Sequence, residues 1–156
     1  MTEHHSNNRV SHDDLMIEGR PGGPLETVSY LIADRATGVW ALVDPTHGIL
    51  ETWNDRIGRL DPPTAILITH GHFDHIGGLA ELRRRYPQAP VWVHPDSAPL
   101  LQDAALNGSQ WVMLPFEPAA ATHDYRDGDV VELGRSRLCV LEAPGHCPGS
   151  VMLLGG

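Results

Sequence analysis

Residues 64–69, TAILIT, form a short, almost wholly apolar run, and HGHFDH follows directly at 70–75. A run of that length and composition predicts a strand covered on both faces. Such a strand needs a layer above and a layer below it, so the chain is expected to build a layered sheet. It also carries three histidines and an aspartate at its carboxyl end, the place where α/β sheets gather their ligands.

VSYLIAD (28–34) and VWALVD (39–44) are rich in β-branched and aromatic residues with a turn between them, which predicts a hairpin. Ile49, Leu50, Trp53, Ile57 and Leu60 recur at helical spacing, predicting a helix over about 48–60 that Asp61-Pro62-Pro63 ends. A second helix is predicted from Ile76 to Tyr86, a strand at 91–94 (VWVH), and a third helix from Asp96 or Ser97 to about Leu106. Residues 107–127 read as irregular, DVVEL (129–133) and RLCVLE (137–142) as a second hairpin, and VMLL (151–154) as a last strand. Residues 1–27 are polar and then Gly/Pro-rich, with GRPGGP at 19–24, and read as a flexible leader to a folded domain at 28–156. Strands that alternate with helices, with hairpins mixed in, indicate an α/β domain with a mixed sheet.

His70, His72 and Asp74 occupy alternate positions, so an extended or loosely turned loop aims all three side chains to one side. His75 is adjacent and starts the next helix, from where it reaches the opposite flank of the same cavity. Imidazole and carboxylate are ligand types suited to zinc, and with less preference to iron or manganese. Gly77 and Gly78 permit close backbone packing behind the site. His146 lies in PGHCPG, a loop tightened by two prolines and two glycines. Alone it reads as surface decoration. Beside a cluster that needs another nitrogen donor it reads as a ligand.

THGHFDH resembles the H-x-H-x-D-H signature of the metallo-β-lactamase superfamily, and PGHCPGS resembles that family's next metal-binding element. Threonine is common in the family where Cys147 stands. Asp44, in LVDPTHG, matches the family's aspartate that braces the metal loop from the end of an early strand. The similarity runs from about Val28 to the C-terminus and points to the glyoxalase II-like branch. It implies an αββα sandwich with the metals at one edge of the paired sheets, here with the C-terminal part of the second sheet and helix layer missing. It further implies that His70, His72 and His146 hold a first metal and that Asp74 and His75 contribute to a second. Asp74 is also the implied catalytic residue, orienting a water or accepting its proton. The implied cofactor is zinc, as one or two ions, with iron or manganese as the other candidates. The implied activity is cleavage of a small-molecule thioester or ester by a metal-activated water, as in hydroxyacylglutathione hydrolases. Two alternatives stand beside it: an iron-dependent persulfide dioxygenase and a non-catalytic metal-binding remnant. The family's bridging aspartate and final histidine have no match, since no Asp or Glu follows Glu142 and no His follows His146. A fragment of a longer protein is the favoured explanation, beside a short member with one metal held by three histidines and a decayed, inactive remnant, and this form is expected to hold at most one tight metal equivalent.

Composition serves mainly to exclude. Eleven basic against twenty acidic residues give a net charge of −9, which argues against nucleic acid or an anionic membrane as partner. Two cysteines are too few for a disulfide scaffold, and the polar N-terminus lacks the apolar core of a secretory signal, so a cytoplasmic protein is expected. Oligomeric state is left open. His47, His94 and His123 show no partners in sequence, Cys147 reads as filling a threonine-sized space, and Arg83–Arg85 as a solvated helix face.

Overall fold

The computed structural model describes residues 14–155. Nine strands form two sheets: β1 (Leu15–Gly22), β2 (Thr27–Asp34), β3 (Trp40–Val43), β4 (Ala65–Leu67), β5 (Val91–Val93) and β6 (His123–Asp124) in one, and β7 (Val130–Leu133), β8 (Ser136–Glu142) and β9 (Val151–Gly155) in the other. In the first sheet β1, β2 and β3 run antiparallel and β3 to β6 run parallel. The second sheet is antiparallel throughout. The helices are short: α1 (Ile49–Thr52), α2 (Asn54–Ile57), α3 (Phe73–Ile76), α4 (Leu79–Arg85) and α5 (Ala104–Asn107).

Alternation along the central strands divides the interior in two. Leu31, Leu42, Ile66 and Ile68 face the helices and join Ile49, Trp53, Ile57, Ile76, Leu79 and Leu82 in one core. Their neighbours Ile32, Ala41, Val43, Ala65 and Leu67 face the second sheet and pack with Val131, Leu133, Leu138, Val140 and Val151. All three residues of β4 are buried, as the apolar run required. The result is an α/β layering of helices, sheet and sheet. The far side of the second sheet presents Val130, Met152 and Leu154, each more than half exposed.

Three expectations are corrected. The leader predicted over 1–27 lies partly outside the described residues, and within them residues 15–22 form β1, paired along its length with β2. Gly19, Pro21 and Gly22 are tolerated because β1 is an edge strand, where fewer ladder bonds depend on each residue. The helix predicted over 48–60 is two single turns. They meet at Trp53, which leaves helical geometry at φ −112° and donates its indole N–H to Ser29 Oγ at 2.7 Å. The helix predicted from 96 to 106 is a 3₁₀ turn at 98–101 followed by α5, divided where Asp103 caps the backbone N–H groups of Ala105 and Leu106.

The two sheets are tied by a carboxylate. Asp34, fully buried at the end of β2, accepts hydrogen bonds from Thr37 N and Oγ1 and, across the interface, from Arg135 N and Ser136 Oγ. Burial alone would raise its pKa, but the hydrogen bonds from Ser136, Thr37 and Arg135 outweigh it and hold it down at about 2. Because the folded value lies below the unfolded one, Asp34 stabilises the protein above about pH 4. That contribution is lost as pH falls toward 2. Asp34→Asn is therefore expected to cost about 2 kcal/mol at neutral pH and to flatten the acid limb of stability between those values. Urea unfolding at a series of pH values measures both; an unchanged acid limb would remove this role from Asp34.

Candidate metal centre

The loop after β4 is fixed by Asp44, which follows β3 and is 3% exposed. Its Oδ1 accepts from Thr69 N at 2.8 Å, and its Oδ2 accepts from Thr69 Oγ1 at 2.7 Å and from His75 Nδ1 at 2.8 Å. Asp44 sits at φ 52°, a left-handed conformation that a non-glycine residue keeps only when its surroundings over-determine it. Gly78 lets the strand end and helix start approach: a Cβ there would lie 2.1 Å from the carbonyl oxygen of Thr46.

The brace also sets a tautomer. Thr69 Oγ1 gives its proton to Asp44, so toward His70 Nδ1, 3.1 Å away, it acts as the acceptor. His70 Nε2 is then left with a free lone pair, and it faces His146 Nε2 at 3.1 Å. His146 Nε2 in turn lies 3.0 Å from His72 Nδ1. One proton on His146 Nε2 serves only one of these neighbours well, so a hydrogen-bonded chain leaves one close nitrogen pair unsatisfied, which an ion shared by the three atoms would satisfy. All three ligand atoms lie within 4.8 Å of one another, and among the described residues no other set of three meets that criterion. A tetrahedral zinc ion with Zn–N bonds of about 2.0–2.1 Å places its ligand nitrogens roughly 3.3 Å apart, so the imidazoles fit such an ion with small adjustment.

Electrostatics agree with that fit. Burial, aided by the neighbouring His75, pushes His70 down to about 4, and burial with His146 nearby lowers His72 as well. Both rings are neutral at physiological pH, the form that ligates. His75 behaves oppositely: burial opposes its charge, but the hydrogen bond to Asp44 raises its pKa above the ordinary value.

The five residues predicted as ligands therefore divide. His70, His72 and His146 meet, the first two from the loop after β4 and the third from the loop between β8 and β9. Asp74 and His75, on the first turn of α3, stand beside them, with His75 Nε2 3.5 Å from Asp74 Oδ2 and the rings of His70 and His75 4.1 Å apart. Thr27 Oγ1, in the segment the sequence read as leader, donates to Asp74 Oδ2 at 2.7 Å. His47 is half-buried and its Nε2 lies 3.2 Å from the Pro115 carbonyl, while the His123 ring lies against Trp92 at a 31° tilt. Nothing in the sequence marked Thr27, and Thr69 passed as the last residue of a strand.

The Metallo-beta-lactamase superfamily model matches residues 22–156. The chain belongs to that superfamily. Among curated relatives, a probable metallo-hydrolase of Bacillus subtilis, YqgX, is 44% identical over 135 residues, covering 84% of this chain and 61% of its own. The hydroxyacylglutathione hydrolase of Photobacterium profundum is 41% identical over 116 residues, covering 73% of this chain and 37% of its own. Two crystal structures superpose well: the B3 metallo-beta-lactamase BLEG-1 (TM-score 0.76, 34% identity, 88% of this chain and 66% of that one) and TTHA1623 in a di-iron-bound form (TM-score 0.72, 29% identity, with the same coverage). The chain spans 61–66% of the length of the curated relatives it matches first. The metallo-β-lactamase fold binds divalent metals, and in this member the histidine cluster is where the donors for one meet.

Proposed function

We propose that this chain is the metal-binding part of a hydrolase that cleaves a small-molecule thioester or ester, of the hydroxyacylglutathione type. The observation that carries the reading is the convergence of three ring nitrogens, His70 Nε2, His72 Nδ1 and His146 Nε2. These atoms would hold one ion, and Asp74 with His75 Nε2 would lean toward a second. Zinc suits the donors best, and iron suits them too, in keeping with the di-iron form of TTHA1623. When bound, a divalent metal supplies Lewis acidity that polarises a carbonyl and acidifies water.

The protein's own groups supply the rest. The Asp44–Thr69 brace keeps the proton of His70 on Nδ1 and so keeps Nε2 available. Thr27 occupies Oδ2 of Asp74, which leaves Oδ1 to orient the attacking water and accept its proton. The identity of the Photobacterium relative favours a glutathione thioester over other acyl compounds. Both cysteines are free, which fits a reducing compartment, and we place the protein in the cytoplasm. No helix among the described residues is long and apolar enough to cross a membrane. The net charge of −9 favours a small-molecule substrate over nucleic acid.

The test is a panel of a glutathione thioester, a β-lactam and glutathione persulfide, offered to zinc-loaded and iron-loaded protein. Thioester cleavage that chelation removes and zinc restores is the expected result. Oxygen uptake with the persulfide, without thioester turnover, would move the protein to the dioxygenase class.

A further inference from the structure

His146 is the one member of the cage that comes from the second sheet, so something must hold its loop against the first. His94, just after β5, is 4% exposed, and its ring is fixed at both nitrogens. Asp96 N–H donates to Nδ1 at 3.2 Å, which leaves the proton on Nε2, and Nε2 donates to Glu142 Oε1 at 3.0 Å. Glu142 ends β8, four residues before His146. On the other side of His146, Ser97 Oγ donates to the carbonyl of Pro148 at 2.6 Å. Gly149 closes the contact: its φ is +70°, and a Cβ there would lie 2.7 Å from both His94 Nδ1 and Ser97 N. The turn after β5 thus grips the His146 loop before and after the ligand, and neither grip touches the ring itself.

We propose that His94, Glu142 and Ser97 are positioning residues for His146, a latch that brings the third donor from the second sheet to the pair on the first. This rests on the metal-dependent reading above. Partners bonded directly to a ligating histidine cost about 10- to 100-fold in metal affinity when removed, and a latch that acts through the loop is expected at the lower end of that range. Glu142 is half exposed, so its substitution leaves little unsatisfied in the interior. Glu142→Gln keeps a carbonyl oxygen to accept from His94 Nε2, whereas Glu142→Ala removes the acceptor.

The experiment is a chelator-competition titration of zinc into the metal-free chain for wild type, His94→Ala, Ser97→Ala, Glu142→Ala and Glu142→Gln. It is read with the thermal unfolding of the metal-free forms and the visible spectrum of the cobalt-loaded forms. Glu142→Ala and His94→Ala are expected to weaken zinc by at least tenfold, with weaker cobalt bands as His146 disengages. Glu142→Gln is expected to stay within about threefold of wild type, and metal-free Glu142→Ala to melt with wild type. The latch is overturned if wild type binds zinc and Glu142→Ala binds it equally well, or if Glu142→Gln is as weak as Glu142→Ala. If wild type takes up no zinc, the metal-dependent reading fails and the latch with it, a result distinct from equal binding.

Discussion

Replacing His146 with alanine is expected to weaken zinc binding by about a hundredfold to a thousandfold and to take thioester cleavage with it. The magnitude follows from sharing an apparent binding energy of about 12 kcal/mol among four ligands, which makes each worth roughly 3 kcal/mol. His146 is the exposed member of the triangle, while His70 is 7% exposed. Its removal therefore leaves no buried cavity, and the metal-free variant should unfold with wild type. That separates loss of a ligand from loss of the fold. Zinc affinity by chelator competition and turnover with a glutathione thioester are the two measurements. Retained affinity would mean that the approach of the His146 ring to His70 and His72 has no bearing on metal binding.

The second large effect is expected at Asp44. Alanine there strands the Thr69 backbone N–H, the Thr69 hydroxyl and His75 Nδ1 without their acceptor, in a site that is 3% exposed. Each stranded donor costs about 1–3 kcal/mol, so a loss on the order of 3–5 kcal/mol is expected, or roughly 10 °C in Tm. Metal affinity should fall as well, because Thr69 no longer gives its proton to Asp44 and the tautomer of His70 is no longer imposed. Asparagine is not a rescue: its amide N–H₂ would face donors on one side. A loss below about 1 kcal/mol in urea unfolding would show that water replaces the carboxylate without penalty.

The donors were legible in sequence because ligand chemistry is local. HGHFDH places its rings by alternation after a buried strand, and PGHCPG confines one histidine to a tight loop. Of what holds those donors only Asp44 was legible, through the family resemblance; its partner Thr69 and the pairs Thr27 with Asp74 and His94 with Glu142 were not, because they join positions far apart in the chain. The same distinction explains the fold. The apolar run of β4 announced a strand buried on both faces, β2 and β3 read as the hairpin they form, and the inside positions Ile49, Trp53 and Ile57 were correctly spaced. Helical spacing is nonetheless insensitive to a tertiary hydrogen bond such as Trp53 to Ser29, which ends one turn and begins another. In β1, glycine and proline masked a strand whose evidence lies in its partner, β2.

His70 and His146 are 76 positions apart, on separate sheets. An ion shared between them would close a long circuit of chain, much as a covalent cross-link does, and the entropic cost of that closure would be met only once both sheets have docked. During synthesis, His70 and His72 leave the ribosome well before His146 and offer only a weak two-point foothold. An ion held by all three histidines would therefore gain its third bond only after the second sheet has docked on the first.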